Sequence, residues 1–334
     1  MIRALKACWK LSRDIRYQIV EDLFKAGMLA TDEVHIALSK AVGEEEPDER
    51  LIQLLLDSGA SPLTNGCYAM VQAVQGVKAS PLKLLLARDI SEQDINHIFS
   101  GGFTAEKFAT WFSPEGFEVA KMLLEKGANG DALSGAMVLV MKNSTDETES
   151  LADQFVELFI EHGVDVDYEN GEPLVWAASK ANAFWTEKLL TCKPSAQTLS
   201  LAFERLFDTA RSPDEVLRLF ELFSGYRDGE VGLDIMVRSP GSEPILLKAI
   251  SQYPRSSEVL QTLLDAGFYH DQTTTYRIHD KVDEPEEVTV LVWAIAQPQK
   301  KVSSNLIKML IERGGESLTS LTRTSTNSDS QRQL

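Results

Sequence analysis

The stretch RLIQLLLDSGASP, Arg50–Pro62, decides the fold of this chain. Five of its first seven residues are apolar, and a glycine follows them. So dense a pattern predicts a helix that packs against neighbours on more than one side. Gly59 would supply the left-handed conformation that ends such a helix at the position after its C-cap. The stretch therefore predicts one apolar helix closed by a glycine turn.

The same pattern recurs along the chain. Five further copies keep both the apolar helix and the glycine: Ile19–Leu29, Glu118–Asp131, Phe155–Asp167, Glu258–Asp271 and Asn305–Gly315. Three less regular copies complete a set of nine helices: Ser80–Asp89, Thr186–Pro194 and Glu215–Tyr226. Successive turn glycines lie 32, 68 and 36 residues apart between Gly27 and Gly163, which predicts a repeat of about 33–34 residues.

Between these helices lies a second kind of segment, which predicts the first helix of each repeat. Its members share apolar residues with an alanine at helical spacing, and two of them begin with Glu-Pro: Cys67–Val74, Glu172–Ser179, Glu243–Ile250 and Thr289–Ile295.

The combination of this period, a Leu-Leu-Leu-x-x-Gly-Ala helix end and a Pro-Leu-x-x-Ala-Ala helix start resembles the ankyrin-repeat family over about residues 1–316. The resemblance implies an all-α ankyrin-repeat solenoid of about eight to nine stacked helix–turn–helix units, some of them degenerate. The family signature also has a histidine that ties one turn to its neighbour. The four first helices carry Met70, Val175, Leu246 and Val292 there, so we expect irregular turns.

Two other repeat architectures compete with this interpretation. A tetratricopeptide array has a 34-residue period, but the glycine turns and the Pro-Leu starts disfavour it. A HEAT-like array has longer units.

Three segments break the repeat. Ser91–Phe112 contains Gly101 and Gly102, which we interpret as a hinge between helical pieces. Arg211–Asp234 drifts into a loop rich in glycine and aspartate. An insert at 271–288 has strand-like residues at Thr273–Ile278 and Glu287–Val290, with an acidic turn between them, and predicts one extended finger. Residues 317–334 are rich in serine and threonine and predict a disordered tail.

Composition argues against some classes of binding partner. The chain has 334 residues, is 43% hydrophobic and carries a net charge of −17, which argues against nucleic acid or an anionic membrane as the main partner. The basic N-terminal stretch before Asp14 resembles a mitochondrial transit helix, but a first helix with a solvated basic face is the favoured interpretation. Scattered cysteines and the absence of a spanning apolar run predict an intracellular protein, cytoplasmic or nuclear.

Catalytic motifs are missing from the sequence, so we expect neither an enzyme nor a bound cofactor or metal. A zinc site around the insert is a minor hypothesis, resting on His270, Asp271, His279, Asp280 and Asp283. The remaining histidines, His35, His97 and His162, are expected on helices as surface or packing residues, and His162 could cap helix carbonyls.

A repeat array offers an extended surface for another protein. The predicted function is therefore a non-enzymatic interaction scaffold that binds a partner protein through its concave face and fingers, with aromatic residues as the main contacts. Trp176 and Trp293 occupy the same position in two first helices; repeat core is the favoured interpretation and a partner contact the alternative. Trp185 is expected to be more exposed. The candidate partner-binding residues are Trp176, Trp185, Trp293, Tyr276, His279 and Lys281.

Two other functions remain open. The array could be a transcription coregulator that acts through a protein partner, or it could be the recognition part of a larger enzyme or signalling protein. In each case the expected state is a monomeric array with a protein partner.

Overall fold

The computed structural model describes residues 1–208, 212–226, 233, 243–268, 273–276, 286–297 and 302–313. Within these ranges the chain forms nineteen α-helices and two short β-strands. The predicted all-α class is therefore confirmed. The chain divides into two compact units, unit 1 (Met1–Tyr168) and unit 2 (Glu169–Leu334), and each is described by itself.

Unit 1 contains eleven helices in its described residues. They are α1 (Ile2–Ala7), α2 (Arg13–Lys25), α3 (Asp32–Gly43), α4 (Glu49–Asp57), α5 (Thr64–Gln75), α6 (Ala79–Leu86), α7 (Glu92–Gly102), α8 (Phe108–Trp111), α9 (Pro114–Glu125), α10 (Asp131–Asn143) and α11 (Glu149–Glu161).

Unit 2 holds the remaining described elements. They are α12 (Tyr168–Ser179, beginning at the last residue of unit 1), α13 (Ala183–Leu190), α14 (Ala196–Glu204), α15 (Pro213–Gly225), α16 (Ile245–Gln252), α17 (Ser257–Asp265), β1 (Thr273–Tyr276), β2 (Glu286–Thr289), α18 (Val290–Ala296) and α19 (Ser304–Arg313).

Many of the helices pack in rows within their unit. In unit 1, α3, α5, α7 and α10 pack against one another in order, and α2, α4, α6, α9 and α11 form a second row in the same way. In unit 2, α13, α15, α17 and α19 pack in order, while α16 packs on α18. All nine predicted second helices are helical in the structure.

Helix α4 shows why the opening stretch folds as it does. Asp48 caps its start by accepting hydrogen bonds from the backbone N–H groups of Arg50 and Leu51. Leu51, Ile52, Leu55 and Leu56 are buried, as the apolar pattern predicts.

Its end is closed by a Schellman turn. Gly59 has φ of +94°, and its N–H donates to the Leu56 carbonyl at 3.1 Å, while the Ala60 N–H donates to the Leu55 carbonyl at 2.9 Å. The same pair of bonds closes α2, α9, α11 and α17 at Gly27, Gly127, Gly163 and Gly267. The predicted glycine turns are confirmed at these five positions, and Gly314 lies outside the described residues.

Three first helices of unit 1 each carry a hydrogen-bond acceptor at the same position along the helix. Each acceptor binds a backbone N–H in the turn that follows that helix and its second helix. The position comes directly after the first buried aliphatic residue of α3, α7 and α10, and it holds His35, Asn96 and Ser134. His35 Nδ1 accepts the Ser61 N–H at 3.0 Å. Asn96 Oδ1 accepts the Asn129 N–H at 2.8 Å, and Ser134 Oγ accepts the Asp165 N–H at 3.1 Å. Each donor lies two residues after a turn glycine.

Gly101 and Gly102 do not form a hinge, so that expectation is wrong. Both belong to the last turn of α7. A Cβ atom on Gly102 would lie 2.1 Å from Cγ1 of Val74 in α5, which shows that the glycine is needed for close packing of the two helices.

After this contact, the irregular segment is filled by aromatic side chains around α8. Trp111 is fully buried, its Nε1–H donates to the Thr104 carbonyl at 2.9 Å, and its ring lies 5.8 Å from that of Phe155. The segment is thus part of the core of unit 1 rather than a loose connection.

The N-terminal basic residues bind acidic residues of the next helix pair. Lys6 pairs with Glu33 at 2.8 Å and Arg13 with Glu46 at 2.9 Å. This arrangement agrees with the interpretation of the basic stretch as a first helix of the array.

In unit 2, the insert begins and ends in paired strands. Strands β1 and β2 are antiparallel, with Thr273 opposite Thr289 and Tyr276 opposite Glu286. The two predicted strands are confirmed over Thr273–Tyr276 and Glu286–Thr289, whereas Arg277 and Ile278 lie outside the described residues and Val290 belongs to α18. The acidic turn between them, most of the glycine-rich loop within residues 211–234, and the 317–334 tail lie outside the described residues.

A buried ion pair joins α14 to α16 in unit 2. Lys248 Nζ lies 2.7 Å from Glu204 Oε1, and the Glu204 side chain has no solvent exposure. The same ammonium lies 2.7 Å from Asp208 Oδ1. One cation therefore holds two carboxylates, at the end of α14 and just after it.

Candidate partner-binding groove

A groove of about 640 Å³ lies between the first helices of unit 1, and we call it the α3–α5 groove. The lining residues are Trp9, Ile36, Ser39, Lys40, Gly43, Glu44, Asn65, Tyr68 and Gln72. The helical period explains this set, because positions 36, 40 and 43 share one face of α3 while Val34, Ala37 and Leu38 are buried on the other. The sequence thus builds a core face and a groove face on the same helix.

Two large apolar side chains are exposed in this groove. Ile36 is 39% exposed and Tyr68 is 52% exposed. They occupy equivalent positions in α3 and α5, one residue before the alanines Ala37 and Ala69. Cys67 therefore stands at the position of His35, and the expectation that Met70 stands there is wrong. Exposed aromatic and aliphatic residues at the rim of a concave surface are typical of contact sites for another protein.

Trp9 forms the third apolar wall, and Arg16 holds it in place. The guanidinium carbon of Arg16 lies 4.7 Å from the centre of the Trp9 ring. Arg16 is nearly buried and also pairs with Glu44 and donates to the Leu11 carbonyl at 3.3 Å. Because Glu44 and the Leu11 carbonyl both anchor the cation, the indole is positioned before any partner binds.

Lys78 fixes the far end of α3, next to the groove. Its ammonium donates to the carbonyls of Val42 at 2.9 Å and Glu44 at 2.6 Å, which are carbonyls at the end of that helix. Burial lowers the pKa of Lys78, and the charge of Glu44 opposes that shift.

Polar atoms of the groove are partly engaged. The Gln72 amide donates to the Tyr68 hydroxyl at 3.1 Å, while Gln72 Oε1 is buried without a hydrogen-bond partner among the described residues. Lys40 and Glu44 bring opposite charges to the lining, and Arg16 neutralises Glu44. The groove therefore combines three large apolar side chains with polar and charged residues.

A second groove of about 520 Å³ lies in unit 2 around Trp293. It is lined by Ile250, Ser251, Pro254, Arg255, Trp293, Gln297 and Val302, and Trp293 is half-buried. This placement agrees with the alternative interpretation of Trp293 as a residue that faces a groove.

The other predicted contact residues have different outcomes. Trp176 is half-buried in α12. Trp185 is 2% exposed inside α13, so the expectation that it is more exposed is wrong. Its burial follows from its place on the core face of a second helix, beside Leu189.

The backbone of Tyr276 lies in β1, and His279 and Lys281 lie outside the described residues. Neither Trp176 nor Trp185 is among the residues that line the groove of Trp293.

The α3–α5 groove is not apparent in the sequence. Trp9, Ile36 and Tyr68 are separated along the chain and show no shared motif. For Ile36 and Tyr68, a usable signal is that each is a large apolar residue on the otherwise polar face of its helix. Sequence reasoning also misses His35, although its segment, DEVHIA, keeps the His-x-Ala part of the ankyrin signature, because the segment lacks the Pro-Leu start found at Glu172–Ser179.

The histidines on helices have defined partners. His162 Nδ1 donates to the Leu158 carbonyl at 2.9 Å, which confirms the expected capping role. His97 Nε2 donates to the Gly66 carbonyl at 3.2 Å.

The three cysteine thiols are held in their protonated form. Burial raises the pKa of Cys8 and Cys192, and burial together with Asp94 raises that of Cys67 to about 11. All three thiols are thus protonated at neutral pH. The described residues contain no cluster of three metal-binding side chains, and the residues of the zinc hypothesis lie outside them.

No described helix is long and apolar enough to cross a bilayer. A search with protein-family models gives no match for the chain, and a comparison with curated proteins gives none either.

Proposed function

We propose that this chain is a divergent ankyrin-type repeat array that binds another protein through its first-helix face, with the α3–α5 groove as the main contact in unit 1. The observation that carries the proposal is the set of equivalent bonds from His35, Asn96 and Ser134. A bond repeated from the same helical position to the same turn position is what a repeated structural unit predicts.

Family resemblance supports the same proposal. The ankyrin signature places a histidine in the first helix that ties neighbouring turns. His35 has that role in α3, while asparagine and serine replace it in α7 and α10. The two rows of helices within each unit agree with stacked repeats, and the paired strands β1 and β2 agree with a finger extended by the insert.

The α3–α5 groove supports a binding function rather than catalysis. Three large apolar side chains line it: Trp9 is held by Arg16, and Ile36 and Tyr68 are exposed. Pre-positioned apolar side chains lose little conformational freedom on binding, so they favour recognition of a protein surface. Among the described residues that line it, only Lys40 and Glu44 are charged, and they would affect the orientation of a bound partner more than its binding affinity.

Photo-crosslinking tests this proposal. A photoreactive phenylalanine derivative at position 68 should crosslink to a discrete set of proteins in cells. The same residue at position 29 is the matched control, because Leu29 is also apolar and is 76% exposed, but does not line the groove. Equal crosslinking at both positions, or no protein product from either, would contradict the proposal, as would turnover of a small molecule by the purified chain.

A further inference from the structure

His35 is the one described histidine whose ring accepts a hydrogen bond. Its partner is the Ser61 backbone N–H, which can only donate, so Nδ1 must carry a lone pair. The partners of His97 and His162 are carbonyl oxygens, which can only accept, so those rings must donate. A protonated imidazole can keep the bonds of His97 and His162, but it cannot keep that of His35.

The other two equivalent bonds in unit 1 do not have this property. Asn96 Oδ1 and Ser134 Oγ remain acceptors throughout the pH range in which imidazoles titrate. Of the three bonds, only the one at His35 would change from attraction to repulsion on protonation, because two N–H groups would then face each other.

We infer that the contact between His35 and Ser61 is a proton-sensitive joint that releases the turn before α5 on mild acidification. This joint adjoins the α3–α5 groove, because Ile36 follows His35 and the turn containing Ser61 leads into the helix of Tyr68. Releasing the turn therefore changes the spacing of the two exposed apolar side chains. The inference adds regulation to the groove and in that respect rests on the proposed function, while the joint itself does not depend on the proposed partner.

The surroundings of His35 leave the imidazole as the group that changes charge. The turn at residues 59–63 has no charged residue, and α5 offers only the neutral thiol of Cys67 and the phenol of Tyr68. The charged residues on the helices nearest to the joint are Asp32, Glu33 and Lys40 on α3, Glu49, Arg50 and Asp57 on α4, and Lys6, which pairs with Glu33. Carboxylates titrate at lower pH and the cations at higher pH than an ordinary imidazole.

Linkage sets the sign of the effect. Only a neutral ring can accept the Ser61 N–H at Nδ1, so uptake of a proton at that nitrogen breaks the bond. The stabilisation is therefore full at higher pH and is lost as the pH falls through the range in which imidazoles titrate.

Amide hydrogen exchange of the full chain tests this inference residue by residue. Protection factors, which correct for the intrinsic pH dependence of exchange, should fall for the Ser61 amide between about pH 7.5 and about pH 5.5. The expected decrease is about fivefold, the equivalent of about 1 kcal/mol for one hydrogen bond. The Asn129 and Asp165 amides are internal controls in the same molecule, and their protection should stay constant.

Two variants separate the joint from a general effect of pH. His35→Asn places the acceptor used in α7 at this position and should keep Ser61 protected at both pH values. His35→Leu should leave Ser61 weakly protected at both. The inference is overturned if Ser61 follows Asn129 and Asp165 in the parent chain, or if the pH dependence persists in His35→Asn. Either result leaves the crosslinking test at position 68 unaffected.

Discussion

In unit 1, beside ion pairs such as that of Arg16 and Glu44, three first helices are joined to following turns by neutral hydrogen bonds, with an imidazole, an amide and a hydroxyl as the acceptors. In unit 2, the described link between α14 and α16 is a lysine ammonium between two carboxylates, one of them fully buried. Both kinds of link hold a helix to another segment of its unit, yet they differ in how they respond to substitution.

A neutral bond contributes about 1 kcal/mol, and several residue types can supply its acceptor. The residue type at the position of His35, Asn96 and Ser134 can therefore vary while the hydrogen bond to the turn is retained. A buried ion pair depends on both partners, because removing one leaves a desolvated charge. These links of unit 1 are thus replaceable one by one, whereas the ion pair of unit 2 is not.

Lys248→Met should have the largest effect and would test the buried ion pair. Glu204 loses its ammonium partner inside the protein, so we expect unit 2 to be destabilised by about 3–5 kcal/mol in chemical denaturation. Lys308→Met is the control, since Lys308 and Glu312 form an exposed pair and should change stability by less than about 0.5 kcal/mol. If the two variants unfold alike, the ion pair does not hold unit 2 together.

Ser134→Ala should have an intermediate effect and would test the replaceable links. The Asp165 N–H loses its acceptor in a part-buried position, and we expect a loss of about 1–2 kcal/mol with local rather than global opening. Amide exchange at Asp165 measures the local opening, and chemical denaturation of the full chain measures the change in global stability. Ser100→Ala is the matched control, because Ser100 is exposed and bonds within its own helix. A loss as large as that of Lys248→Met would erase the distinction between the units.

Val77→Gly should have the smallest effect, and it should be stabilising. Val77 has φ of +48° at the end of α5, and Ala181 has φ of +49° at the end of α12, with the same pair of closing bonds. A β-branched residue is more strained in this conformation than alanine. We expect a gain of about 0.5–1 kcal/mol for Val77→Gly and a smaller gain for Ala181→Gly, both measured by thermal unfolding. Equal gains would show that the strain does not depend on side-chain branching.

The residues that can be assigned from sequence are those governed by local rules. The α4 helix follows from its own apolar spacing, and Gly59 ends it because glycine adopts positive φ without a Cβ clash. The nine second helices and the strands of the insert follow in the same way, since each signal lies within about fifteen adjacent residues. The acidic, motif-poor composition by itself also disfavours several classes of function.

Tertiary structure decided what depends on residues far apart in the chain. Gly102 resembles a hinge in sequence, but the approach of Val74 makes it a packing residue. Trp185 is buried because its helix turns that face to the core. The groove forms because Trp9, Ile36 and Tyr68 come together from three separate elements, and the role of His35 depends on a donor 26 residues away. Local spacing fixes backbone conformation, whereas such contacts arise only when the helices pack.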